Sequence, residues 1–202
     1  MTIILIAITV VVSYAAFKSA RLMDQLQFNA SKVYYKNEYH RLVTHAFVHA
    51  NWEHLFVNMV VLFSFGRAIE FYFKTNFGER HTFYYVLLYL GGILFSNIYA
   101  LIKQRKNFFY NSVGASGAVA AILFASIFFD PWNMIYFFGI LPIPGIIFAA
   151  LYLIYSYQMS MKQKDNVAHD AHFLGAVFGF IFPILINPIL FETFLDKLFR
   201  LI

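Results

Sequence analysis

Asp, Glu, Lys and Arg are absent from six windows of this 202-residue chain, at 1–17, 54–66, 81–102, 107–129, 131–161 and 171–191. A bilayer-spanning helix needs about 20 mainly apolar residues, within a range of about 17–25. The windows predict helical spans over about 2–17, 52–73, 82–102, 114–129, 145–161 and 169–187. The fifth window is longer than one span requires. Pro142 and Pro144 divide it, because proline lacks the amide a helix interior needs, so 132–141 reads as an interfacial connection. The polar connection 18–50 mixes charges with Tyr34, Tyr35, Tyr39 and Phe47, and Trp52 follows it, a composition suited to a membrane–water interface. In the tail, 189–202, Phe191, Phe194, Leu195, Leu198 and Ile202 recur at helical spacing, with Glu192, Asp196, Lys197 and Arg200 elsewhere. That pattern predicts an amphipathic helix lying on the membrane surface.

Composition agrees with the pattern. The chain is 61% hydrophobic and 12% charged, whereas soluble domains carry roughly 25% charged residues. The expected fold class is an all-α membrane protein, a six-helix bundle forming a single domain over 1–202 with no separate soluble domain. Residues 1–17 lack the charged n-region and small-residue cleavage site of a signal peptide, so a first membrane helix is expected. Cysteine is absent, which excludes disulfides, thiolate metal sites and a cysteine nucleophile. The formal charge of +5 is spread over short loops and forms no basic patch, so nothing suggests a nucleic-acid partner.

Polar groups inside a bilayer are costly and tend to mark function. Here they gather in three spans. His54 and Asn58, four residues apart, share one helical face. Ser116 opens the fourth span within Gly114-Ala115-Ser116-Gly117. His172 precedes Gly175 and Gly179, which let that helix approach a neighbour closely. Each has a plain structural reading: a small-residue packing patch, a satisfied bundle histidine, an interhelical amide, a headgroup contact. Together they suit acyl transfer. Ser116 would be the nucleophile and neutral His172 the base. His54, Asn58 and the Ser116 backbone N–H would be donors to an oxyanion. Gly117, Ala120 and Ala121 offer the matching small surface on the fourth span. Asp170 lies two residues before His172, on roughly the opposite side of a helix, and reads as an interfacial charge.

From about Arg41 to Gly179 the chain resembles the rhomboid intramembrane serine proteases. The resemblance rests on His54 with Asn58, on Gly114-Ala115-Ser116-Gly117, and on Ala171-His172 followed by Gly175 and Gly179. The approach Arg41-Leu-Val-Thr-His45-Ala-Phe-Val-His49 is also similar, although His40 stands where many members have tryptophan before the arginine. The resemblance implies a six-helix core, a serine–histidine dyad, and a water-filled pocket among the helices. It implies cleavage of other proteins' transmembrane segments near the membrane surface, without cofactor or metal. The implied partners are membrane-protein substrates and lipid. The implied location is the cell (inner) membrane, with the amino terminus inside and the active site toward the outer face. That orientation would place ten basic residues outside (Lys18, Arg21, Lys32, Lys36, Arg41, Lys103, Arg105, Lys106, Lys162, Lys164) and five inside (Arg67, Lys74, Arg80, Lys197, Arg200). The count runs against the positive-inside tendency.

Two rival readings compete. His45 and His49 are four apart and Glu53-His54 follows, with His169 and His172 further on, a set of ligand types that suits a metalloprotease or metal transporter. The zincin pattern, however, needs Glu directly after the first His, where Ala46 stands, and the reversed pattern is one residue out of register. A catalytically silent, helix-binding rhomboid-like protein would be expected to lack the serine or the histidine, and both are present.

Overall fold

The computed structural model describes residues 1–137, 139–162 and 167–199. Helices occupy all six apolar windows: α1 (Thr2–Phe17), α5 (Trp52–Phe77), α6 (His81–Lys103), α7 (Ser116–Phe129), α8 (Gly145–Lys162) and α9 (His169–Ile186). Short helices α2 (Ala20–Leu26), α3 (Ala30–Lys36) and α4 (Arg41–Thr44) fold the polar connection after α1, and α10 (Ile189–Phe199) closes the described chain. Among the described residues, two helical stretches are long and apolar enough to cross a membrane, Trp52–Lys103 and His169–Ile186. The first is not one rod. Gly78, at φ +53°, and a 3₁₀ turn over Gly78–Arg80 break it into α5 and α6, which pack on each other.

Helix α7 is the axis of the molecule. Thirteen of its 14 residues, Gly117 to Phe129, are buried, so it carries no outward face. It packs on α9, α6, α5 and α8. Its closest approach is to α9 and follows from missing side chains. A Cβ on Gly175 would overlap the Gly117 carbonyl oxygen, and one on Gly179 would overlap the backbone of Ala121.

The outer surface is inverted relative to a soluble protein. Ile3, Ile4, Ile8, Val11, Phe56, Phe63, Phe83, Leu151, Ile154 and Leu185 are exposed, while Thr2, Thr9 and Ser13 of α1 are fully buried. Soluble monomers rarely expose large contiguous apolar patches, whereas a lipid-facing helix turns apolar residues outward and hydroxyls inward. Thr2 Oγ1 meets the Tyr85 hydroxyl at 2.9 Å, and Ser13 Oγ donates to the Phe47 carbonyl at 2.9 Å.

Two segments carry structure that the charge pattern does not show. Within 132–141 and just beyond, strands β1 (Met134–Phe137) and β2 (Leu141–Pro144) form an antiparallel hairpin, with Met134 opposite Pro144 and Tyr136 opposite Pro142. A two-stranded ribbon has free edges that tolerate proline's missing amide. The tail helix α10 is docked on the bundle, with Leu190 and Phe194 buried. Phe194 stacks on Phe128 at 5.0 Å and meets the edge of Phe180 at 5.2 Å. Trp132 Nε1 donates to the Leu198 carbonyl at 3.0 Å, and Lys197 Nζ to that of Phe129 at 2.9 Å. Helical spacing reveals an apolar face but not what covers it, and here protein covers Leu190 and Phe194 while Phe191 stays exposed. Arg200, Ile202 and Lys164 lie outside the described residues.

Valine at Gly175 or Gly179 must push α9 off α7, and overpacking of a close-packed contact costs about 1–3 kcal/mol or more. Each variant is therefore expected to lower the thermal unfolding midpoint in detergent, whereas Leu185→Val on the outer face leaves it unchanged. Wild-type midpoints for both glycine variants would show that the α7–α9 contact carries no stability.

Candidate active site

The three polar groups read from the sequence come to one end of the bundle. Ser116 is the first residue of α7 and is half-buried. Its N–H lies in the first turn, where amides have no intrahelical acceptor. Gly114, two residues earlier, has φ +114°, a left-handed conformation that costs glycine little and other residues much. A side chain there would also strike the His54 ring, since a Cβ would sit 2.6 Å from its Cε1. The turn before Ser116 is thus pressed against the imidazole.

His54 is fixed by its own helix. Asn51 caps α5 by accepting from the His54 N–H at 2.8 Å. Asn58, buried one turn on, donates its side-chain amide to the His54 carbonyl at 2.8 Å. That bond uses one of its two amide hydrogens. On the far side, the contact between α7 and α9 puts Gly117 beside the Ala171 carbonyl and beneath Gly175. Ser116 and His172 are the chain neighbours of Gly117 and Ala171, so they sit at the same end of this helix pair. The His172 ring lies nearly parallel to Tyr152 of α8, with centroids 6.5 Å apart and planes at 28°, and 6.0 Å from the His169 ring. The Asp170 carboxylate accepts from the Ala171 N–H at 2.9 Å.

The connection between α1 and α5 holds the lead-in to α7, and sequence reasoning missed this role. The Gly114 N–H donates to the His45 carbonyl at 2.9 Å. The Ala115 N–H donates to His49 Nε2 at 3.4 Å. Phe28 and Ser112 exchange backbone hydrogen bonds at 2.9 and 3.1 Å. The connection is itself tied down. Asn97 of α6 bonds His45 Nε2 at 2.8 Å, and Ser13 of α1 bonds His49 Nδ1 at 2.9 Å. Buried Arg41 bonds Glu38 at 2.5 Å, the Gln27 carbonyl at 2.8 Å and the Asp24 carbonyl. His40, the departure from the resembling pattern, reaches the Gln25 carbonyl at 3.1 Å. His45 and His49 therefore engage different partners on different elements, and neither geometry is that of two ligands sharing one ion. Among the described residues, no three His, Asp or Glu side chains are grouped so that they could hold one metal ion.

Residues 36–188 match the family described as the Rhomboid domain, and the chain belongs to the rhomboid family of membrane-embedded proteins. It is similar to RHOMBOID-like protein 12, mitochondrial, of Arabidopsis thaliana, at 29% identity over 152 residues. That match covers 68% of this chain and 43% of the relative, so the chain spans less than half of that protein's length.

Burial lowers the pKa of His45 from 6.5 to about 4. It lowers that of His49 from 6.5 to about 3, with the neighbouring His54 and His45 imidazoles adding to the effect. Folding thus favours the neutral rings, while the unfolded chain takes up protons as pH falls through 6.5. Stability from these groups is present above pH 6.5 and lost as pH drops toward 4. Thermal unfolding followed between pH 7.5 and 4.5 is expected to show a falling midpoint, with a shallower slope in His45→Gln and His49→Gln. A flat wild-type profile would contradict the buried, neutral assignment.

Proposed function

We propose that the chain is an intramembrane serine endopeptidase that cleaves transmembrane segments of other membrane proteins through a Ser116–His172 dyad. The observation that carries the reading is the convergence at the start of α7. Ser116 follows a turn pressed on His54, and the Gly117–Gly175 contact brings the His172 end of α9 alongside. Family membership supports the same chemistry.

In this reading Ser116 Oγ attacks the scissile carbonyl carbon while neutral His172 accepts the hydroxyl proton. The tetrahedral oxyanion receives hydrogen bonds from the Ser116 N–H and the His54 and Asn58 side chains. Collapse expels the amine, which takes the proton from His172 and leaves an acyl-serine ester. Water attacks that ester while His172 takes its proton, and collapse releases the acid as His172 returns the proton to Ser116 Oγ. A dyad without a carboxylate suits a site where a buried charge would be expensive. Six spans, one domain, no cofactor or metal, and a cell (inner) membrane location with the site toward the outer face complete the proposal.

Ser116→Ala and His172→Ala are each expected to reduce cleavage of a transmembrane substrate in proteoliposomes by about 10⁴–10⁶-fold while the unfolding midpoint is kept. Substantial turnover in either folded variant would remove the dyad. Chelators are expected to have no effect, and activity lost to them and restored by zinc would favour the metal reading. A substrate helix captured by the wild type but never cut would favour the silent, helix-binding reading.

His54→Ala and Asn58→Ala are expected to impair turnover rather than abolish it. One oxyanion donor is typically worth about 10²–10³ in kcat, and sharing among several donors reduces that loss. Wild-type kcat in both would make the two residues packing groups.

A further inference from the structure

We propose that His49, which has no role in the chemistry above, is a positioning residue. It holds the turn before Ser116 in register through a hydrogen-bond relay anchored on α1. The proposal rests on Ser116 being the nucleophile.

The relay can be assigned atom by atom. A backbone amide only donates, so the Ala115 N–H at 3.4 Å makes His49 Nε2 the unprotonated ring nitrogen. In the neutral imidazole Nδ1 then carries the hydrogen and donates to Ser13 Oγ at 2.9 Å. The Ser13 hydroxyl passes its own hydrogen to the Phe47 carbonyl at 2.9 Å. Every donor finds one acceptor. His49 is 0% exposed, as is Ser13, so water does not compete for these bonds. Edge-on contact with His54, with centroids 5.0 Å apart, leaves the His49 ring little room to turn.

What the relay fixes is the peptide immediately before Ser116. Gly114 has φ +114°, and glycine rotates easily between wells. The neighbouring amides prevent that rotation. Gly114 N–H is held by the His45 carbonyl and Ala115 N–H by His49. Without the imidazole acceptor, Ala115 N–H is left buried and unpaired, a penalty of about 1–3 kcal/mol that the turn relieves by rotating. Ser116 is the next residue and moves with it. His49 thereby acts through the backbone, with no contact to the reacting atoms.

Side-chain reach separates this role from mere packing. In His49→Gln the side-chain carbonyl occupies roughly the place of Nε2 and still accepts from Ala115. In His49→Asn it ends near Nδ1 and reaches only Ser13. In His49→Leu neither bond remains. Each purified full-length variant would be assayed in proteoliposomes for kcat and KM, for Ser116 labelling by a fluorophosphonate, and for its unfolding midpoint. The Asn and Leu variants are expected to lose about 10–100-fold in kcat and labelling rate, the scale of a small misplacement of a reacting group, with KM unchanged. The Gln variant is expected to recover most of both. Gln no better than Asn at matched midpoints would overturn the proposal, as would wild-type kcat in a folded Leu variant. If the Leu variant does not fold, the Gln–Asn comparison decides alone. Turnover surviving in Ser116→Ala, where His49 is untouched, would instead overturn the nucleophile assignment.

Discussion

Backbone amides within a bilayer must find partners inside the protein, because lipid offers none. Helix α7 makes that constraint acute. Its 14 residues span about 21 Å at 1.5 Å per residue, against a hydrocarbon core of about 30 Å. The chain leading into it is irregular backbone whose amides find partners within the protein. Three amides of this lead-in have named partners: Ser112 is held by Phe28, Gly114 by the His45 carbonyl and Ala115 by His49. The folded connection between α1 and α5 supplies those partners.

The same arrangement recesses Ser116. Ser116 is half-buried, between buried Ala115 and Gly117. Glycine governs both sides of that residue. Gly114 lets the turn lie on His54, and Gly175 lets α9 close on Gly117. One contact places an imidazole before the serine and the other brings a second helix beside it.

The polar groups of α1 belong to this scheme too. Thr2 and Ser13 are buried hydroxyls on a helix whose outer face is apolar. Their bonds to Tyr85, Phe47 and His49 fix the rotation of α1 about its axis. Between apolar helices in lipid there is no hydrophobic drive to do this, so hydrogen bonds and close packing set the register.

Much was legible in the sequence because its cause is local. Runs without charge mark apolar helices, and His54 with Asn58, Ser116, and His172 with Gly175 stand out because polar and very small residues are rare choices in such runs. The docking of α10 was not legible, since an amphipathic pattern looks the same whether lipid or protein covers it. Nor was the β1–β2 hairpin, where Pro142 and Pro144 signal only that a helix stops. The largest gap was His45 and His49. Four residues apart in the sequence, they look like a ligand pair; in the fold one is held by Asn97 and the other by Ser13. A sequence determines which groups are available to bond and which segments must avoid water. Only tertiary structure decides which partner each buried group meets, because those partners lie far along the chain, 66 residues for Ala115 and His49 and 83 for Thr2 and Tyr85.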